Sequence, residues 1–172
     1  MPMDFNGKVV LVTGGGNGIG AATCRAFALA GARVAVIDRD GAAGEAVAAE
    51  IGNAASAHAL DVADAAAFAR LAGAIAAKAG GIDVLVNSAG TITRQTIANM
   101  PTEDWDRVLA VNLRGPFNGV QAAIPYMKAR GGGAIVNVAS VAGKRIACDG
   151  SGWWGTSPSR IECRVTPFLG GP

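Results

Sequence analysis

Short apolar runs alternate along this chain with longer stretches in which apolar residues recur three and four positions apart. The runs fall at residues 8–13, 33–38, 57–60, 82–87 and 134–138, and each reads as a strand. Helical patterns occupy residues 19–30, 42–51, 65–79 and 102–130. Gly80-Gly81 stops the third of these, and Gly131-Gly132-Gly133 the fourth. Thr102 is expected to cap the last helix, with Glu103 and Asp104 placed against the partial positive charge of its first turn. Continuous apolar strands between helices imply a parallel sheet covered on both faces. Right-handed crossovers make that an α/β fold with a doubly wound sheet. In such a sheet ligands bind at the carboxyl ends of the strands where the winding reverses, here strands one and four.

The stretch Thr13-Gly14-Gly15-Gly16-Asn17-Gly18-Ile19-Gly20 lies at such an end, between the first strand and the first helix. A tight glycine turn there brings backbone N–H groups and the positive end of a helix up to an anion, and a Cβ would block the turn or the approach of a phosphate. Strand two ends on Asp38, the spacing at which a carboxylate can accept the ribose hydroxyls of a dinucleotide. The same charge repels a 2′-phosphate, which favours NAD over NADP. The neighbouring Arg39 works weakly the other way, because a guanidinium pairs well with phosphate.

Six elements in order resemble the short-chain dehydrogenase/reductase family over about residues 5–147. They are Thr13-Gly14 with Gly18 and Gly20; Asp38; Asp61-Val62; Asn87-Ser88-Ala89-Gly90; Asn112 in Val111-Asn112-Leu113; and Ser140 at the end of Ile135-Val136-Asn137-Val138-Ala139-Ser140. The resemblance implies a Rossmann-type sheet and hydride transfer between a nicotinamide and a carbonyl or secondary alcohol. It implies a cofactor site made of Thr13, Gly14, Asn17, Gly18, Ile19, Gly20, Asp38, Arg39, Asp61, Val62, Asn87, Ala89 and Gly90. Asn17 agrees with NAD, since NADP-preferring relatives often carry a basic residue at that place. Ser140 and Asn112 are implied as catalytic, the serine bonded to the substrate oxygen and the asparagine holding a water in a proton relay. Residue types alone leave other roles open: Asp61 as a helix cap, Asn87 and Asn112 as structural pins, His58 as a surface or adenine-side residue, Trp105 as a packing anchor.

The family also uses a tyrosine and, four residues on, a lysine that lowers its phenol pKa. Their places here hold Trp153 or Trp154, then Ser157 or Pro158. An indole N–H is a donor that does not ionise usefully, and neither serine nor proline supplies a cation. The sole tyrosine, Tyr126, precedes strand five, and Lys144 sits in a loop context; neither is expected to substitute. Without the pair, no meaningful turnover is expected, since general acid–base catalysis alone contributes about 10²–10⁴ in rate. A non-catalytic dinucleotide-binding module or an inactive truncated remnant therefore stands beside the enzyme reading.

Composition divides the chain at the same place. Alanine supplies 36 of the first 147 residues and none of the last 25, and residues 148–172 show no helical or strand period. The expected organisation is an NAD-binding domain at 1–147 and an irregular tail at 148–172, disordered or frame-altered, on a C-terminally incomplete sheet. The family is usually homo-oligomeric through a helix expected to be missing here, so a bare sheet edge and poor solubility are expected. The net charge of +2 with no basic run excludes nothing about nucleic acid but gives no reason to expect it. Apolar stretches are too short for a membrane span, the N-terminus lacks the order of a signal peptide, and Cys24, Cys148 and Cys163 suggest no disulfide framework. A cytoplasmic protein with a small-molecule substrate and no metal is expected.

Overall fold

The computed structural model describes residues 4–140. Five parallel strands, β1 (Val9–Thr13), β2 (Arg33–Asp38), β3 (Ala55–Ala59), β4 (Val84–Asn87) and β5 (Ala134–Asn137), form one sheet in the order β3-β2-β1-β4-β5. The chain runs outward from β1 to β2 and β3, then crosses back to β4 and β5. The winding thus reverses between β1 and β4, as the alternation of strands and helices predicts.

Successive strand side chains point to opposite faces, and the two layers divide accordingly. Val10, Val12, Val34, Val36, Val84 and Val86 pack with Ala21 and Cys24 of helix α1 (Gly18–Leu29) and Val47 of α2 (Gly41–Ile51). Leu11, Ala35, Ile37 and Leu85 pack with Phe68, Ala72 and Ile75 of α3 (Ala65–Ala79) and with Ala123 and Met127 further along the chain. β1, the middle strand, is buried throughout.

β4 starts two residues later than the sequence expectation, and three other differences have a local cause. The helix expected over 102–130 is broken into α4 (Thr102–Leu109), a π-helical turn (Ala110–Arg114) and α5 (Gly115–Ala129). Pro116 explains the break. It has no N–H to give the carbonyl of Asn112, and its ring crowds that carbonyl, so the regular ladder cannot pass. The cap of α4 is Pro101, with no side-chain cap bond, and Thr102 is already helical. β3 begins two residues earlier than expected, because the turn at Gly52 (φ +81°) starts it at Ala55 and its polar Ser56 and His58 hide it from a hydrophobicity reading.

Cys24 is fully buried between α1 and the sheet. Burial pushes its thiol up to about 11, against a smaller opposing pull from Arg25. The thiolate is the reactive form. Iodoacetamide at pH 8 is therefore expected to leave Cys24 unmodified in the native chain and to label it after denaturation, read by peptide mass mapping. Rapid native labelling of Cys24 would contradict its placement.

Candidate active site

The cavity at the carboxyl ends of β1, β2 and β4 has a volume of about 460 Å³. Its floor is the glycine turn. Thr13 sits beneath it, 1% exposed; its hydroxyl accepts from the amides of Ser88 (3.1 Å) and Ala89 (3.2 Å), which ties the loop after β4 to β1. Gly14, at φ +66°, lies so close to that loop that a Cβ would come within 2.8 Å of the Ala89 backbone. Gly20 meets the turn from the helix side, where a Cβ would overlap the Gly14 carbonyl oxygen. Gly18, at φ +50°, faces open space, and its position lines the cavity.

Asn17 caps α1, its side-chain oxygen accepting from the Gly18 amide at 2.7 Å. The first amide with a backbone acceptor is that of Ala21, bonded to the Asn17 carbonyl at 3.0 Å. The amides of Ile19 and Gly20 precede it in a helix turn whose donors have no intrahelical partner. They stand at the positive end of the α1 dipole, beside the cavity, and suit a phosphate.

Asp38 lines the cavity where β2 ends. One carboxylate oxygen accepts from the Gly16 amide at 2.9 Å and the other from the Asp40 amide at 3.0 Å. The carboxylate is thus fixed in place while keeping lone pairs for a further donor. Gly16 has no room for a side chain: a Cβ would stand 2.9 Å from that same oxygen. Arg39, Asp61 and Val62 line this end too. Asp61 accepts from the Ala63 amide at 2.9 Å, whereas the cap of α3 is Asp64, which accepts from Ala67.

Nine of the thirteen residues expected to bind cofactor line the cavity: Gly14, Asn17, Gly18, Asp38, Arg39, Asp61, Val62, Ala89 and Gly90. Thr13, Gly20 and Asn87 lie beneath it as buried supports, and Ile19 is exposed on α1. Asn87 gives an amide hydrogen bond to the Asn137 side chain across β4 and β5 (2.9 Å), while its own oxygen is buried without a partner among the described residues. Ile37, Leu60 and Thr91 also line the cavity, as do Ser88 and Val111, which belong to two of the motifs but are not among the expected cofactor residues. The signal for Ile37 and Leu60 is their position beside Asp38 and Asp61, where an apolar wall suits a flat ring.

Asn112 sits in the π turn, where its side chain accepts from the Thr91 amide and donates to the Thr91 carbonyl, each at 2.8 Å. This fixes the start of the loop after β4. Arg107 adds to the fixing, with one nitrogen on the Thr91 hydroxyl and another on Asp104, both at 2.9 Å. Asp104 also accepts from the buried Thr93 at 3.1 Å, and its carboxyl is held below the usual range by Arg107 first and Thr93 second. Ser140 lies exposed beyond β5, at the same end of the sheet. Lys144, Trp153, Trp154, Ser157, Pro158 and the expected tail at 148–172 lie outside the described residues. Among the described residues there is no cluster of metal-ligating side chains, and no helix is long and apolar enough to cross a membrane.

Comparison with known proteins shows the family and the fold. A family model described as short chain dehydrogenase matches residues 8–152. D-threitol dehydrogenase of Mycolicibacterium smegmatis is 49% identical over 141 residues, 80% of this chain and 54% of that protein. Sorbitol dehydrogenase of Cereibacter sphaeroides is 43% identical over 144 residues, 83% of this chain and 56% of that one. Among solved structures, a 3-ketoacyl-(acyl-carrier-protein) reductase from Brucella melitensis complexed with NADH superposes with a TM-score of 0.77 at 38% identity, covering 82% of this chain and 60% of the other. The chain spans about half the length of the curated relatives it matches.

Proposed function

The chain belongs to the short chain dehydrogenase family, and from that premise we propose that its cavity binds NAD, with the adenosine ribose on Asp38 and the pyrophosphate on the turn at Gly14–Gly20. The observation that carries this reading is the Asp38 carboxylate, held by two backbone amides at the end of β2, one of them from the glycine turn itself. A ribose diol can donate to it, and a 2′-phosphate in the same place meets a fixed like charge. The bound nicotinamide supplies the hydride chemistry. The protein's part is to hold the dinucleotide, to fix the loop after β4 through Asn112 and Arg107, and to present Ser140 to the oxygen of a carbonyl or secondary alcohol. The names of the relatives support a polyol or similar alcohol as the substrate class.

Isothermal titration tests the cofactor reading. NAD is expected to bind at least about tenfold more tightly than NADP. Asp38→Ala is expected to weaken NAD about 10–100-fold, the equivalent of a hydrogen bond to a charged group at about 1.5–3 kcal/mol. Equal affinity for the two dinucleotides would sink the assignment of Asp38.

A second reading, binding without turnover, is favoured by the placement of Tyr126. It is the chain's one tyrosine, and its hydroxyl lies against Gly73 of α3, where a Cβ at Gly73 would come within 2.9 Å. Held between α3 and α5, that phenol is no proton donor for the cavity. On this reading NADH formation from a polyol or secondary alcohol does not exceed that of a Ser140→Ala control. Clear excess over the control restores the enzyme reading.

A further inference from the structure

A second cavity, of about 330 Å³, lies under α3 at the amino-terminal side of β2 and β3 and shares no lining residue with the first. The register places Ser56 beside Ala35 and His58 beside Ile37, on the α3 face of the sheet. β3 is an edge strand, so α3 leaves this strip of the face partly open. Leu71, Ala74 and Ile75 of α3 give it an apolar wall.

The polar lining is one-sided. Arg33 and Lys78 reach the cavity, and no aspartate or glutamate lines it. Arg33 donates to the Ala79 carbonyl at 2.7 Å, which occupies one nitrogen of its guanidinium. Lys78 has no ion pair among the described residues. A helix carboxyl end carries about half a negative charge, so the end of α3 compensates only part of two full cations. Ser56 and His58 are bonded to each other at 2.9 Å. Burial first and Lys78 second hold the imidazole below its usual range, which favours the uncharged ring. The cavity's positive charge therefore rests on Arg33 and Lys78.

We propose that this second cavity binds a small organic carboxylate with an apolar body, the carboxylate at Arg33 and Lys78 and the hydrocarbon against Leu71, Ala74 and Ile75. The volume lies at the lower end of the ~300–1,000 Å³ usual for small-molecule sites, and the lining has their usual character, mostly apolar with a few convergent polar groups. The site is independent of dinucleotide binding.

His58 is the only histidine of the chain, so its ring-proton NMR signal reports on this cavity alone. The probe is benzoate, with benzamide as the uncharged control and inorganic phosphate as the control without an apolar body. Benzoate is expected to shift the His58 signal saturably. It is also expected to raise the pH at which the ring titrates, because a bound negative charge favours the imidazolium. Lys78→Gln, at an exposed position, is expected to weaken benzoate about fivefold, as for a partly exposed ion pair. Ala74→Phe, also at an exposed position, fills the groove and abolishes the shift without touching a charge. The proposal is overturned by a signal that does not saturate, by benzamide or phosphate binding as well as benzoate, or by both variants binding like the parent.

Discussion

Gly20→Ala is expected to abolish dinucleotide binding and to lower the midpoint of thermal unfolding by about 6–12 °C. The added Cβ would overlap the Gly14 carbonyl oxygen and stand 2.7 Å from its carbon and 3.2 Å from the Gly15 Cα. All three are backbone atoms, so no rotamer change relieves the contact. Nor can the turn retreat, because Gly14 already lies against the Ala89 backbone, which the Thr13 hydroxyl holds in place. Overpacking usually costs about 1–3 kcal/mol and more where nothing can move, so a cost of about 3 kcal/mol is reasonable. At about 2–4 °C per kcal/mol for a domain of this size, that gives the stated shift. Gly18→Ala is the matched control. Nothing stands within 4 Å of its added Cβ, so only the left-handed backbone (φ +50°) opposes it, at about 1–2 kcal/mol. That variant should stay folded and lose affinity, since its methyl enters the space in which the pyrophosphate is placed. Circular dichroism melts with NAD titrations read both effects. A Gly20→Ala protein melting within a degree or two of the parent would show that the turn is not wedged as described.

The parts of this molecule legible in its sequence are those whose signal is local. The runs at 8–13 and 33–38 announce β1 and β2 because central parallel strands are apolar on both faces, and Gly80, with φ +83° at the end of α3, is placed by backbone sterics alone. The glycine turn is readable for the same reason, and Asp38, 22 residues beyond Gly16, because it ends the strand that pairs with β1. What escaped depends on contacts made at long range. β3 is an edge strand with polar Ser56 and His58, so its start is set by pairing with β2. Thr13 looks like one more cofactor residue in sequence, yet it acts from below on Ser88 and Ala89, some 75 residues away. Val111 and Thr91 come to the cavity wall only because the π turn swings Asn112 onto the loop after β4. The break itself was legible in principle, through Pro116.

Asp83→Ala is expected to cost about 3 kcal/mol of stability while leaving nucleotide affinity unchanged. Asp83 lies at the amino-terminal end of β4, 7% exposed, at the opposite end of the sheet from the glycine turn. One carboxylate oxygen accepts from the Val9 amide at 2.9 Å; the other accepts from Lys8 at 3.3 Å and Arg130 at 3.1 Å. The acid thus joins the start of β1 to the end of α5 across the sheet. Alanine leaves the Val9 N–H without its acceptor and a partly buried guanidinium without its counter-charge. Removing one partner of a buried pair costs about 3–5 kcal/mol, and the partial exposure of Lys8 and Arg130 puts this case at the lower bound. Asp83→Asn keeps an oxygen for the Val9 amide and loses only the charge, so about half the cost should return. In urea both variants should unfold at lower midpoints with the slope of the parent, since the surface exposed on unfolding is the same. NAD should titrate into the folded variants as into the parent. Asn and Ala variants equal in stability would mean that the charge matters and the Val9 bond does not. A fall in NAD affinity would mean that the two ends of the sheet are coupled, against this expectation.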